Sequence, residues 1–512
     1  MNLRVVAKYV GIVSVLIGAA MALSLPWAHP ALGGGETFES LAIGAILASM
    51  AVACLTGLAL LQWGRRADGA LFRKEALAIV GLSWILASVL GALPFVLSGT
   101  LVASNQRMLP HDALFESVSG FTGTGATVIN DLEDPRLVPR SILFWRSETH
   151  FLGGLGILVL FVAILGQGSA GKALMRAEMP GPSKDVPHAR MQHAAWIFAG
   201  IYGGLNVVLT ALLMLEGMTL FDALCHSFAT VATGGFSTYN ASVGHFDDVA
   251  IEMTITIFMF VACINFTLLY YVVLFKPSKL VRDVEFRAYA AILLGAVLAV
   301  MGVGLAQQDF SNVGEAFRYS VFDVTSVMTN TGFITRDFDA WNEFARATLF
   351  LLMFVGGCSG STSCSIKVIR HILLWKVLRL EVEKAYHPSV VRPLRLQGEV
   401  VEDPNIGRHV LVYFGLIAFI FVVGWVAVLG LEPDGYWLAV EADPHAKFID
   451  CASGVAATLN GVGPGLGTFG STENFSSFTA GSKFVFMALM LLGRLEVIPI
   501  VVLFLPSFWK SH

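Results

Sequence analysis

The chain has 512 residues, of which 55% are hydrophobic and only 14% charged, with a mean hydropathy of +0.71. That balance argues against a string of soluble domains and describes a protein embedded in a bilayer. A net charge of -4 and an isoelectric point near 6.3 imply no basic surface for nucleic acid, and the six cysteines (Cys54, Cys225, Cys263, Cys358, Cys364 and Cys451) lack the spacing of a zinc site or a disulfide framework.

The first apolar run, Val5 to Leu25, follows Arg4 and Lys8 and precedes Pro26. It is longer than the core of a cleaved signal peptide, so it is read as a transmembrane helix. A second span covers about 41–62, and eight more follow at about 76–98, 141–166, 194–215, 249–275, 288–306, 347–378, 409–431 and 484–506. Between the members of each later pair lies a moderately apolar stretch too short to cross, at about 112–121, 221–230, 317–328 and 448–459. Each stretch ends in a polar or glycine-rich turn: Phe121-Thr-Gly-Thr-Gly125-Ala, Val231-Ala-Thr-Gly234-Gly-Phe, Thr329-Asn-Thr-Gly332-Phe and Leu459-Asn-Gly-Val-Gly463-Pro.

With the amino terminus inside, most of the 33 Lys and Arg residues fall in inside loops, which puts both termini in the cytoplasm and all four turns outside. A short apolar stretch can dip into the membrane and return only where protein surrounds it, because lipid cannot satisfy its open backbone groups. The expected fold class is therefore an all-α polytopic membrane protein. Two extra N-terminal helices (1–66) precede four helix, pore loop, helix repeats (67–175, 176–281, 282–400 and 401–512) in a pseudo-fourfold arrangement.

Four equivalent turns can supply a closed ring of backbone carbonyls, which is how a narrow pore replaces the water shell of a potassium ion without burying charge. Successive carbonyls point to one axis only if the backbone visits the left-handed region, where glycine is at ease and side chains are penalised. The candidate filter glycines are Gly125, Gly234, Gly332 and Gly463, flanked by Gly123 and Thr124, Ala232 and Thr233, Asn330 and Thr331, and Gly461 and Val462. One Thr-Gly pair is an ordinary turn signal; four in matching positions are not.

The segment 347–378 is too long for one crossing, and its middle, Gly356 to Ser365, is Gly, Ser, Thr and Cys. This second helix of the third repeat is expected to break into a polar loop inside the pore, with Gly356, Gly357, Ser359, Gly360, Ser361 and Thr362 as gating residues. Residue types alone leave a gate and a tightly packed kink equally open. Arg494 stands in the apolar run Phe484 to Phe504, two residues from Glu496 and so off its helix face. Both a cationic barrier under the filter and an ion pair with Glu148 fit it. His150 and His226 have no metal-ligand spacing and are read as hydrogen-bonding residues. The basic segment Lys367 to Arg408 suits a lipid surface, a soluble partner or plain solvent.

Taken together these features resemble the Trk/Ktr/HKT superfamily of potassium transporters, and within it the TrkH-type pore subunits. The resemblance also rests on Ala177-Glu-Met-Pro-Gly-Pro-Ser-Lys184, Phe221-Asp-Ala with His226-Ser-Phe, Gly356-Gly-Cys-Ser-Gly-Ser-Thr-Ser-Cys-Ser-Ile-Lys367-Val-Ile-Arg370, and Gly493-Arg-Leu-Glu496. It implies potassium uptake in a bacterial inner membrane, with symport of another ion left open, and a homodimer on a cytosolic TrkA-type ring that binds nucleotides. It tips the loop toward a gate and Arg494 toward a barrier. Potassium itself is the bound ion and no further cofactor is implied. Relatives that carry sodium tend to have Ser where this chain has Gly125, so potassium is favoured; Cys358 and Cys364 depart from the Gly/Ala-rich loop the family suggests. The chain has no phosphate-binding loop of its own, so nucleotide control would act through the partner. Two other classes fit less well. An ion-coupled secondary transporter of a small solute requires helix breaks in paired halves. An enzyme requires clustered carboxylates, His or Cys at membrane depth, and none stands out.

Overall fold

The computed structural model describes residues 1–33, 38–66, 72–103, 106–156, 188–387, 394–396, 399–400, 405–435, 437, 446–470 and 473–510. Among them six helices are long and apolar enough to cross a membrane, or seven with one bent pair counted as a single span. The first, Leu3–Ala20, is capped by the Asn2 side chain and tightens into a 3-10 stretch, Met21–Ala28, that carries Pro26. It lies against Ser40–Gly64 with almost no side chain between them: a Cβ added at Gly57 would stand 2.7 Å from the Gly11 carbonyl oxygen, and one at Gly64 2.7 Å from the Lys8 Cβ. Small residues at the crossing let two membrane helices gain close van der Waals packing, which is the available driving force where lipid is as apolar as leucine.

Four short helices, Pro110–Thr122, Leu220–Val231, Val313–Met328 and Ala446–Asn460, occupy the stretches expected to dip and return. At about 1.5 Å per residue none reaches across a hydrocarbon core of about 30 Å. Their starts are written in the sequence. Pro110 takes the first position of one helix, Thr219 accepts from the Asp222 amide, and Asn312 accepts from the Glu315 amide while Glu315 reaches back to Ser311.

The second helix of each repeat departs from a simple span. Glu343–Leu352 ends early and a loop leads to Val368–Tyr386, as the sequence suggested. Continuous spans were also expected at 249–275 and 484–506, and both are interrupted. Val249–Ala262 and Phe266–Val273 meet at 109°, with Asn265 capping the second piece through the Thr267 amide at 2.8 Å. Ala480–Arg494 stops before Glu496 and Val497, whose φ values are 52° and 69°. Hydropathy carries an apolar run through both stretches and so does not register the breaks; at the first, the Ala262 and Cys263 carbonyls are taken by Thr362 and Cys358. In the first repeat Arg140–Leu155 ends at Gly156, φ 77°; the rest of the expected span to 166 and the segment 177–184 lie outside the described residues.

Several charges in or beside the apolar stretches meet acids; Arg146 and Lys483 are buried and Arg318 is half-exposed. Arg146 meets Glu116 at 3.1 Å, Arg318 meets Glu252 at 2.7 Å, and Lys483 meets Asp112 at 2.7 Å, the last pair joining the first pore helix to the fourth repeat. Both Asp112 and Lys483 are buried, and Lys483 also donates to the Ser476 carbonyl. Removing one partner strands the other, which costs about 3–5 kcal/mol, whereas replacing both with apolar residues is close to neutral. Lys483→Met is therefore expected to lower unfolding stability in detergent by that amount, and Asp112→Leu combined with Lys483→Met to recover most of it. A double variant no more stable than the single one would show that the pair does not carry this contact.

Candidate functional site

All four pore helices end in the same cap, and the cap sets the register of the turn beyond it. Gly123, Thr233, Asn330 and Gly461 are left-handed, with φ of 67°, 55°, 61° and 70°. The next residue in each turn, Thr124, Gly234, Thr331 or Val462, donates its amide to the carbonyl five positions back, on Ser119, Ala229, Ser326 or Ala457, at 2.8–2.9 Å. Gly and Asn suit such a cap; Thr233, β-branched, tolerates it less well. Two residues past each cap residue the backbone turns positive again at Gly125, Gly235, Gly332 and Gly463, with φ of 81°, 79°, 73° and 94°.

This register corrects one assignment made from the sequence. Gly234 was aligned with Gly125, Gly332 and Gly463, but the residue in their place is Gly235, and Gly234 corresponds to Thr124, Thr331 and Val462. The Thr-Gly pair invites the wrong alignment because the left-handed cap position is Thr in the second turn instead of Gly or Asn. The equivalent windows are thus Thr122 to Gly125, Ala232 to Gly235, Thr329 to Gly332 and Asn460 to Gly463.

The turns close on one another in chain order. A Cβ placed at Gly125 would strike the Gly234 carbonyl, one at Gly235 the Thr331 carbonyl, and one at Gly332 the Val462 carbonyl. At Gly463 it would stand 2.5 Å from the Thr124 carbonyl oxygen, which completes the circle. Gly125, Gly235, Gly332 and Gly463 all line one cavity of about 120 Å³ on the open side of the ring. Carboxyl ends of four helices meet here, each with a partial negative charge that favours a cation nearby.

Behind the ring each pore helix holds its turn with a buried carboxylate. Glu116 accepts from the Thr127 hydroxyl and from the Val128 amide at 2.7 Å; Asp222 from the Thr238 hydroxyl at 2.7 Å; Asp323 from the Thr335 amide and hydroxyl at 3.2 Å; Asp450 from the Thr468 hydroxyl at 2.9 Å. These four residues were missed in the sequence. The available signal was an acidic residue within each short apolar stretch and a Thr a few residues beyond each turn. In the first repeat Arg146 adds a bond to the Ser237 carbonyl at 3.1 Å and lies 3.4 Å from the Phe236 ring centroid. His150 bridges the Gly120 carbonyl and the Phe236 amide, and His226 the Asp222 carbonyl and Ser237 hydroxyl, so both act as hydrogen-bonding residues.

Below the ring lies the loop between Leu352 and Val368. Gly356 donates to the Ile366 carbonyl at 3.0 Å, Gly357 to the Ser363 hydroxyl at 2.9 Å, and the Ser361 hydroxyl to the Cys358 carbonyl at 2.6 Å, so the segment is internally braced. It also ties to the break in the second repeat, through Cys358 to the Cys263 carbonyl at 2.9 Å, Thr362 to the Ala262 carbonyl at 3.2 Å, and the Gly360 carbonyl to the Phe266 amide at 3.1 Å. Cys364, absent from the sequence-derived gating set, stands against the inner end of the ring. Its Sγ stands 3.4 Å from the Thr122 carbonyl oxygen and packs against Gly461. Ser365 reaches Asn460 at 3.0 Å.

Arg494 does not pair with Glu148, whose carboxylate accepts from Ser24 at 2.9 Å. Its guanidinium donates instead to the Thr362 carbonyl at 2.8 Å and the Gly153 carbonyl at 2.7 Å, and lies 3.3 Å from Cys364 Sγ. Glu496, beyond the end of that helix, pairs with Arg370. Lys367, the first residue of the basic segment expected to face lipid, a partner or solvent, is buried with its ammonium on Ser363. Arg494 and Lys367 together line a cavity of about 90 Å³ with Gly360 and Thr362.

The ring can be tested by adding a methyl group. Gly235→Ala combines left-handed strain of about 1–2 kcal/mol with a carbonyl clash and is expected to destabilise the protein by at least about 2 kcal/mol. Gly200→Ala, where a Cβ meets nothing within 4 Å inside the helix His188–Leu215, is expected to be neutral or stabilising by about 0.5–1 kcal/mol. Chemical unfolding in detergent measures both, and equal effects would contradict the ring packing.

Residues 45–511 match the family model described as TrkH, a cation transport protein. The chain is 35% identical over 519 residues to the Trk system potassium uptake protein TrkH of Halomonas elongata, and 34% identical over 521 residues to the protein of the same name from Escherichia coli K12, each match covering both chains completely. It is also similar to the crystal structure of the potassium transporter TrkH from Vibrio parahaemolyticus, with a TM-score of 0.85, 31% identity and full coverage of both chains. These are transporters and not enzymes, and the chain belongs to the TrkH family of cation transport proteins.

Proposed function

We propose that the chain takes up potassium through the ring of four turns. The observation that carries this reading is the closure of four identically capped turns, in chain order, about one axis. A desolvated monovalent cation there trades its water for uncharged peptide oxygens of Gly123, Thr124 and Gly125, Thr233, Gly234 and Gly235, Asn330, Thr331 and Gly332, and Gly461, Val462 and Gly463, with Ala232 just below in the second turn. The pore-helix ends add favourable potential. Named potassium uptake proteins match the chain over its full length, which supports potassium as the cargo.

The loop Met353 to Lys367 is the gate. Cys364 stands against the inner end of the ring and Arg494 fastens the loop there. The chain works in the bacterial inner membrane with both termini in the cytoplasm, as a homodimer on a cytosolic TrkA-type nucleotide-binding ring; the relatives' description as parts of a Trk system supports a partner subunit. A small-solute transporter is less well supported, because the inner cavity of about 90 Å³ is far below the several hundred Å³ that ligand pockets offer. The helix breaks also follow the repeats around one axis instead of pairing two halves.

Cells lacking potassium uptake test the cargo and the site together. Wild type is expected to restore growth at low potassium and Gly332→Ser to fail, since its side chain enters the ring at φ 73°. Equal rescue would leave the filter without support. For the barrier, a unit charge acting over roughly 10 Å at an effective dielectric near 20 is worth about 1.7 kcal/mol. Arg494→Ala, which also frees the Thr362 carbonyl, is expected to raise potassium flux about tenfold or more, and Arg494→Lys to raise it less. Flux unchanged in the alanine variant would remove Arg494 from the barrier.

A further inference from the structure

Most of the bonds that shape the intramembrane loop are made within it or to backbone groups, and bonds within the loop would move with it. One acidic side chain from outside ties its middle to the helix that follows it. Glu285, the second residue of the helix Val284–Ala306, is buried, and its Oε1 accepts from the Ser359 amide at 2.7 Å and from the Ile369 amide at 3.0 Å. Ser359 stands in the middle of the loop Met353 to Lys367. Ile369 is the second residue of Val368–Tyr386, where amides have no partner within the helix and a carboxylate is favoured by the helix dipole. One oxygen thus draws the middle of the loop and the helix after it onto the outer helix of the same repeat.

Its position in the chain gives the contact a lever. Glu285 lies two residues after Asp283, which caps the helix through the Phe286 amide at 2.8 Å, and just beyond the short helix Ser278–Arg282 that links the second repeat to the third. A pull on this link draws Glu285 away from both amides at once. The two bonds are charge-assisted and screened from water, the setting in which such bonds contribute most.

We propose that Glu285 is the latch of the intramembrane loop, a positioning residue that holds the loop against the ring until the link between the second and third repeats moves. This deepens the proposed function and rests on the reading of the loop as a gate, so its test needs a readout independent of potassium. Cys364 supplies one, because it is nearly buried under the ring only while the loop is in place.

The full-length protein, in vesicles permeabilised so that reagent reaches both faces, is treated with a cationic methanethiosulfonate. Modification of Cys364 is followed by mass spectrometry, with no cysteine replaced. Glu285→Ala is expected to speed the reaction about tenfold or more, since each charged hydrogen bond lost is worth about one such factor. Glu285→Gln, which keeps an acceptor but not the charge, should speed it less. Glu381→Ala, at an exposed surface pair with Lys384, should leave it unchanged. If Glu285→Ala does not fold, the glutamine variant decides. Faster modification with raised potassium flux supports latch and gate together. Faster modification with flux at the wild-type level keeps the latch but removes the loop from the gate. An unchanged rate in the folded Glu285 variants overturns the latch whatever the flux.

Discussion

A backbone that leaves the helix inside a membrane must find every hydrogen-bond partner in the protein itself. This constraint organises the whole molecule. Four helices enter, stop short and turn back, and at each stop the same cap binds the amide after the left-handed residue to a carbonyl five positions earlier. Past the caps the turns cannot reach lipid because each leans on the next, glycine against carbonyl, around a closed circle. An open arrangement of the same turns would leave peptide groups facing hydrocarbon. Closure is what makes the re-entrant segments tolerable, and a ring of peptide oxygens is its by-product.

The same accounting explains the broken second helices. Where Val249–Ala262 ends, the freed Ala262 and Cys263 carbonyls are taken by Thr362 and Cys358 of the loop, and the loop's Gly360 carbonyl accepts the first amide of Phe266–Val273. Two irregular segments from neighbouring repeats satisfy each other. Arg494, at the end of the fourth repeat's second helix, serves the Thr362 carbonyl on one side and the Gly153 carbonyl on the other. Breaks in adjacent repeats are therefore parts of one hydrogen-bonded layer beneath the ring. The loop is tied to that layer by bonds that cannot be altered singly without leaving a buried group unpaired.

Charge is handled by the same rule. Glu116, Asp222, Asp323 and Asp450 lie on the pore helices, where an isolated carboxylate would be costly, yet each finds a Thr hydroxyl from the chain leaving its own turn. Arg146 and Lys483 are buried against acids, and Arg318, half-exposed, meets the buried Glu252, so each of these cations is paired where it leaves water.

Much of this was legible in one dimension. Hydrophobic length located the six continuous spans among the described residues and the four short re-entrant helices, and the run Gly356 to Ser365 located one break, because apolar length and glycine content act locally. The breaks at Cys263 to Asn265 and after Arg494 were not legible, since hydropathy carries the apolar run through both; at the first, a neighbouring repeat claims the Ala262 and Cys263 carbonyls. The same holds for Gly235 over Gly234: the sequence offers both, and the αL conformation of Thr233, stabilised by the surrounding cap and ring, chooses between them. Cys364, Lys367 and Arg494 are brought together from distant segments to one place under the ring. Composition and periodicity determined that the chain dips into a membrane four times, because those properties belong to each segment alone. Which carbonyl meets which neighbour was decided only in the folded repeats, because a hydrogen bond between segments depends on both of them at once.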